Sequence, residues 1–308
     1  MHGGPQLRRH CVIDDLVLLK LQAVAAFAPL HVPRALSIIR FAQEHFPGLT
    51  QVACFDTAFH SGMAEVARVL PISKELQSRG IQRYGFHGLS CESILHRLAH
   101  DRPQRLVIAH LGNGASITAV EAGKSIDTSM GLTPSGGVMM GTRSGDLDPG
   151  VLIYLLREMK FDGVGLEELI DHHSGLLGIS GVASDMRRLH EAAPLNPDAR
   201  LAIQMYCYSV RKQIAAMIAA LEGIDMLVFT GGIGENDWKI RAAICTGLSW
   251  AGVCLDEDKH RQSADGTISD AASPCAVRVL VSQEEEQIAR HTWALFPRER
   301  PSTVGEGR

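Results

Sequence analysis

The apolar positions divide this chain into stretches of different period. Over Val32–His45, Leu36, Ile38, Ile39, Phe41 and Ala42 recur at helical spacing, Pro33 suits a first turn and Pro47-Gly48 stops the run, so a helix is predicted. A short run at 51–55 reads as a strand ending on Asp56. Residues 63–79 read as helix broken at Pro71, and 90–100 as another helix. The period then changes. Runs at 106–111, 115–120 and 125–128, separated by Gly112-Asn113-Gly114 and by Glu121-Ala122-Gly123-Lys124, predict a β-meander. Helical spacing returns at 150–159, 166–172 and 182–193, and Pro194-Leu195-Asn196-Pro197 breaks it. The longest amphipathic helix is predicted over 199–221, with Ile203, Val210, Ile214, Met217 and Leu221 on one side. Met226–Thr230 reads as a buried strand that runs into Gly231-Gly232-Ile233-Gly234-Glu235-Asn236 and a helix over 237–245. A strand at 276–281 and a helix opened by Glu284, Glu285 and Glu286 complete the pattern, acidic residues suiting a helix N-terminus. The tail beyond Phe296 is polar and reads as frayed.

Composition narrows the class. With 308 residues, 45% hydrophobic and 21% charged, the chain has material for about two globular cores. A net charge of −4 and a pI near 6.4 argue against a nucleic-acid partner. No apolar run reaches the roughly eighteen residues of a membrane span. Asp14 and Asp15 interrupt any secretory segment at the front. The seven cysteines are scattered, none in a C-x-x-C pair, which fits a reducing cytoplasm. Fourteen histidines show no zinc spacing, and His172-His173 reads as a helix end.

Candidate chemistry gathers at the glycines. In the Gly-, Ser- and Thr-rich stretch 127–150, Arg143 stands between Gly141-Thr142 and Ser144-Gly145. Small neighbours admit a ligand close to the backbone, and a guanidinium offers a fork for phosphate or carboxylate oxygens; the alternative is a solvated arginine on a loop. Asp56 falls past the carboxyl end of a strand, where open α/β sheets present chemistry, or else serves as a turn residue. Gly85 and Gly88 frame Phe86 and His87. The amides of Gly112-Asn113-Gly114 can face phosphate oxygens, though Asn-Gly is also a plain hairpin turn. The strand, glycine turn and helix around 226–245 have the order of a nucleotide site but match neither the dinucleotide fingerprint nor the Walker A loop.

Taken together, six motifs in order resemble the acetate kinase family: Phe55-Asp-Thr-Ala-Phe-His60, Arg83-Tyr-Gly-Phe-His-Gly88, His110-Leu-Gly-Asn-Gly114, Asp127-Thr-Ser-Met-Gly-Leu-Thr-Pro134, Met140-Gly-Thr-Arg-Ser-Gly-Asp146 and Phe229-Thr-Gly-Gly-Ile-Gly-Glu-Asn236. The resemblance implies a two-lobed, ribonuclease-H-like α/β fold of the actin, sugar kinase and Hsp70 superfamily. Residues 55–286 would form the second, nucleotide-binding lobe, and 1–54 with 287–308 what remains of the first. It implies transfer of the γ-phosphoryl group of ATP to acetate or another short-chain carboxylate, in a cytoplasmic homodimer without membrane or nucleic-acid partners. By the same resemblance Asp56, His87 and Arg143 are the catalytic residues. ATP would be held by His110, Leu111, Gly112, Asn113 and Gly114, by Asp185, Met186 and Arg187, and by Gly232, Ile233, Gly234, Glu235 and Asn236. Leu30, His31, Phe86 and Pro134 would enclose the acyl group, and Glu284 would bind Mg²⁺ or Mn²⁺, an oxygen ligand suiting either hard cation.

The sequence departs from the family in two places. Leu89-Ser90-Cys91 stands where Thr-Ser-His is frequent. His2-Gly3-Gly4 matches a family motif that follows Arg-Val-Val, and neither that substrate arginine nor the family's serine-rich phosphate loop has a counterpart here. The expectations are therefore an incomplete first lobe, apolar helix faces without a sheet to cover, and turnover near background. Either the natural start lies upstream, with acetate or propionate kinase activity in the longer protein, or the chain is a nucleotide-binding remnant.

Overall fold

The computed structural model describes residues 1–27, 32–262 and 265–296. Its main sheet has six strands. β3 (Arg105–Leu111), β4 (Ala115–Glu121) and β5 (Lys124–Thr128) form the antiparallel meander, while β6 (Met226–Thr230) and β8 (Ala276–Val279) run parallel to β3 and β7 (Gly266–Thr267) closes the far edge, in the order β5-β4-β3-β6-β8-β7. A second, two-stranded sheet pairs β1 (Cys11–Val12) with β2 (Val52–Ala53).

Both faces of the main sheet are covered, which is why its central strands read as continuous apolar runs rather than as an alternation. Val107, Ala109 and Leu111 of β3 face one core with Phe229, Val277 and the long helix Pro197–Ala220, whose Tyr206, Val210, Ile214 and Met217 are buried there. Leu106 and Ile108 face the other with Val228, Leu280 and Ile94, Leu95 and Leu98 of the helix Gly88–Leu98. The two-residue period of β3 therefore puts His110 on the side of that helix, opposite Thr230 of β6. A third cluster, with Leu7, Leu21, Val32, Leu36, Ile39 and Phe55, lies round the helices Asp15–Ala23 and Val32–His45. Those two helices leave Leu19 62% and Ile38 68% exposed.

Several elements differ from the pattern reading for identifiable reasons. The strand expected at 51–55 shortens to β2, because the Phe55 amide donates to His10 Nδ1 instead of a ladder partner. Pro71 leaves two short helices, Glu65–Arg68 and Lys74–Ser78. The run at 182–193 resolves into Met186–Ala192, capped by Asp185, after a separate helix Gly175–Ser180. The glycine turn after β6 is a helical turn, Gly231–Asn236, and its Glu235 carboxylate reaches back to the Gly231 amide at 2.9 Å. β1 and β7 were too short to carry a pattern. His172 ends the helix Gly163–His172. Leu30, His31 and the tail beyond 296 lie outside the described residues.

Candidate active site

The site forms where the ends of β3 and β6 meet the N-terminus of the helix Gly88–Leu98. His87 caps that helix in the left-handed region, at φ 57°, and the Gly88 amide donates to the Asp56 carbonyl at 2.9 Å. His87 Nδ1 lies 3.0 Å from Ser116 Oγ on β4. Its ring stacks on that of His110, with centroids 4.2 Å apart. His110 Nδ1 is bonded to Ser90 Oγ at 2.8 Å. Burial, and then the neighbouring imidazole of His87, push the His110 pKa well below that of a free histidine, partly countered by Asp56. His110 is thus neutral at physiological pH, a hydrogen-bonding group rather than a charge.

Arg143 reaches the same place from the other side. Its backbone is clamped by Met140, whose amide donates to the Arg143 carbonyl at 3.1 Å, and by the segment 170–177, where the Ser174 amide donates to the Thr142 carbonyl at 3.0 Å. Gly175, at φ +61°, allows this approach: a Cβ there would lie 2.7 Å from the Arg143 carbonyl oxygen. The guanidinium donates to the Pro134 carbonyl at 3.3 Å, and among the described residues it makes no ion pair with a carboxylate. Burial lowers its pKa, and Asp171 partly offsets that. A Cβ added to Gly114 would lie 3.4 Å from Arg143 Nη1 and 3.4 Å from His87 Nε2. The glycine therefore keeps open the gap on which the guanidinium and the imidazole converge.

Two carboxylates complete the cluster. Ser282 Oγ donates to Glu284 Oε1 at 3.4 Å and lies 3.0 Å from Ser90 Oγ, whose hydroxyl can donate to it, so a hydrogen-bonded path runs from Glu284 to His110. Burial raises the Glu284 pKa, repulsion from Asp56 raises it further, and the Ser282 bond and the Met1 amino group work the other way. Asp56 Oδ2 lies 2.9 Å from that amino group. Two mutually repelling carboxylates beside a serine hydroxyl match the oxygen donors that a hard divalent cation takes.

Two cavities meet at this cluster. One, of about 470 Å³, is lined by Asp56, Phe86, Asn113 and Arg143, with Arg34 and Ile38 on the facing helix. The other, of about 780 Å³, is lined by Gly112, Asn113, Asp185, Met186, Arg187, Gly232, Ile233 and Asn236. Asn113 belongs to both walls. Leu111 and Gly234 are buried behind the second cavity. Glu235 is turned inward, where its Oε1 accepts from the Gly231 and Ser282 amides. Pro134 contributes its carbonyl to Arg143. The Arg187 guanidinium, 2.6 Å from Asp185, holds that carboxyl down at about 2. Sequence reasoning missed Ser90 and Ser282, the joints of the hydrogen-bonded path, Ser116, which holds His87, and the pair His190–Asp237, 2.8 Å apart, beside the larger cavity. Isolated serines carry no pattern; Asp237 alone could have been found, as the cap of the helix Trp238–Cys245.

The charge balance at Glu284 has a measurable consequence. A raised carboxyl pKa means that the folded chain tolerates the ionised form less well than the unfolded chain does. The penalty is present above that pKa and vanishes on acidification. Glu284→Gln is expected to raise the melting temperature by a few degrees at neutral pH without divalent cations. If Glu284 holds a divalent cation, the variant also loses the upward shift that millimolar Mg²⁺ would give the unsubstituted protein. Melts with and without Mg²⁺ check this; a Mg²⁺ shift that survives in the variant rules Glu284 out as the ligand.

The chain is similar to known proteins over nearly its whole length. A family model described as "Acetokinase family" matches residues 1–290. The acetate kinase of Rhodopseudomonas palustris (strain TIE-1) is 43% identical over 301 residues, which is 96% of this chain and 75% of that protein. That of Heliobacterium modesticaldum is 42% identical over 302 residues, 96% of this chain and 76% of that protein. Among solved structures, the acetate kinase of Porphyromonas gingivalis superposes with a TM-score of 0.89 at 38% identity, covering 96% of this chain and 76% of that one. A propionate kinase from Francisella tularensis superposes with a TM-score of 0.92 at 40% identity, covering 96% and 78%.

Proposed function

The chain belongs to the acetokinase family, and on that premise we propose that it transfers the γ-phosphoryl group of ATP to the carboxylate of acetate. One P–O bond forms to an acetate oxygen, the bond between phosphorus and the bridging β,γ-oxygen breaks, and ADP leaves. Acetate is already ionised at neutral pH, so no base is required and the work of the site is alignment and charge neutralisation. The observation that carries the reading is the convergence of His87 Nε2 and Arg143 Nη1 on Gly114, at the junction of the two cavities.

The residues divide the task. The larger cavity, with Asp185, Met186, Arg187 and the Gly232-to-Asn236 turn, would hold the nucleotide. Asn113, in both walls, would lie along the phosphates. Arg143 and His87 would take the equatorial oxygens of the phosphoryl group as it passes. Phe86 and the facing helix would enclose the acyl group in the smaller cavity. Glu284 and Asp56 would hold Mg²⁺ or Mn²⁺, which neutralises phosphate charge when bound. No helix among the described residues is long and apolar enough to cross a membrane, and this reading carries with it a cytoplasmic enzyme working as a homodimer.

Trapping the acyl phosphate with hydroxylamine tests the proposal. Acetyl hydroxamate should accumulate only with ATP, acetate and Mg²⁺ together, and propionate, one methylene larger, should differ from acetate by about 10–200-fold at most. The same assay measures turnover against the near-background rate expected from the sequence. ATP binding by calorimetry without any hydroxamate would replace the proposal with a nucleotide-binding module that does not turn over.

A further inference from the structure

We propose that Glu92 is a positioning residue that holds in register the three segments bearing Asp56, His87 and Glu284. It sits on the helix that His87 caps, two residues beyond Ser90. Its Oε2 lies 2.6 Å from His291 Nε2 and 3.6 Å from His10 Nε2. His291 is on the helix Glu284–Leu295, two turns beyond Glu284. His10 accepts the Phe55 amide at Nδ1, 3.1 Å away, immediately before Asp56. The two imidazoles pack together with centroids 3.8 Å apart. The three segments that bear Asp56, His87 and Glu284 are thus tied to one carboxylate behind them.

The protons can be placed. Because His10 Nδ1 accepts a backbone N–H, the neutral ring carries its own proton on Nε2, facing Glu92. His291 Nε2 lies 2.6 Å from the carboxylate and 3.0 Å from the Gln287 side-chain amide, and the adjacent anion favours the ring proton on that nitrogen. Burial would raise the Glu92 pKa, but the two imidazoles outweigh it and hold the group below the usual carboxylate range. Glu92 is accordingly an anion shared between two N–H donors, all three side chains being less than a quarter exposed. Two imidazoles and a carboxylate could also suggest a transition-metal site. A metal on His10 Nε2 would need the ring proton on Nδ1, where the Phe55 N–H already points. The hydrogen-bonded reading therefore stands.

The inference rests on the reading of Glu284 as the metal carboxylate, and its test is independent of turnover. ATP is titrated calorimetrically into the unsubstituted protein, Glu92→Gln and Glu92→Ala, with and without Mg²⁺. Glu92→Ala is expected to bind Mg²⁺-free ATP within about twofold of the unsubstituted protein and to lose about 10-fold of the affinity that Mg²⁺ adds, the usual loss on removing an outer partner of a metal site. Glu92→Gln, which keeps one acceptor oxygen, should fall between. An unchanged Mg²⁺ increment in Glu92→Ala overturns the inference, even if its melting temperature drops. So does an equal loss with and without Mg²⁺. Should Glu92→Ala fail to fold, Glu92→Gln and His291→Gln carry the same comparison, and unsubstituted-like increments in both overturn it. A protein that shows the increment but makes no acetyl phosphate refutes the proposed function alone.

Discussion

Arg143→Ala is expected to lower acyl phosphate formation by about 10³-fold or more while leaving the melting temperature nearly unchanged. The loss follows from what the guanidinium does at the gap beside Gly114. On the proposed reading it is a permanent charge facing the gap where phosphoryl charge would spread, and it is held by backbone contacts rather than by a carboxylate that would neutralise it. The stability result follows from the same fact. Burial disfavours this unpaired cation, as its lowered pKa records, so truncation removes a desolvation cost along with one bond to Pro134. Arg143→Lys should recover only a small part of the rate, because an ammonium is a point charge and cannot span two oxygens. Rates come from hydroxamate trapping and stability from thermal melts, with ATP calorimetry as the control for the larger cavity. Retention of more than about a tenth of the rate in Arg143→Ala would take this residue out of the transition state.

Acidification from about pH 6.5 toward pH 4 is expected to strip away much of the folding free energy. Burial pushes His2 and His60 each down to about 4, and His110 well below its ordinary value. For a histidine lowered by folding, the unfolded chain takes the proton first. Stability is therefore complete above pH 6.5, falls as the pH drops through that value, and levels off only below the folded pKa. For His2 and His60 the loss is about 3 kcal/mol each, against a total stability of roughly 5–15 kcal/mol. Burial is the main reason the rings resist charging. The Gly4 amide donates to His2 Nδ1 at 2.8 Å, so a proton there breaks a buried bond. At His60, bonded to Ser125 Oγ at 2.8 Å and to the Phe86 carbonyl at 2.9 Å, the carbonyl favours the charged ring, and burial outweighs it. Carboxylates with lowered pKa values, such as Asp225 beside Arg105, lose their contribution only at still lower pH, which separates the two effects. Urea unfolding at pH 7, 5.5 and 4.5 measures the slope, and His60→Gln should be weaker at pH 7 yet less sensitive to acid. A midpoint that does not move between pH 7 and 4.5 would refute the account.

The two results draw on different levels of the molecule. The rate prediction needed only motifs to find its residue, because Arg143 stands out from its small neighbours along the chain. The acid prediction needed the packing, since nothing in the residues around His2 or His60 announces full burial. The Glu92 cluster is of the second kind, its members lying 82 and 199 positions apart in the chain.

By itself the amino-acid order determined the helices and strands that have a period long enough to read, among them β6 and the helices Val32–His45 and Pro197–Ala220. It also determined the glycine-flanked side chains that a phosphate chemistry needs, because close approach to a ligand leaves a local mark. Tertiary structure alone decided that His87 and Arg143 converge beside Gly114, that Asp56 and Arg143 line one cavity, and that Glu284 is linked to His110 through two serines. It also decided that Glu235 turns inward, and that Ser90 and Ser282 join the pieces. Hydrogen bonds between residues far apart in the chain, and the dielectric around a buried charge, depend on which segments pack together, and no local spacing encodes that.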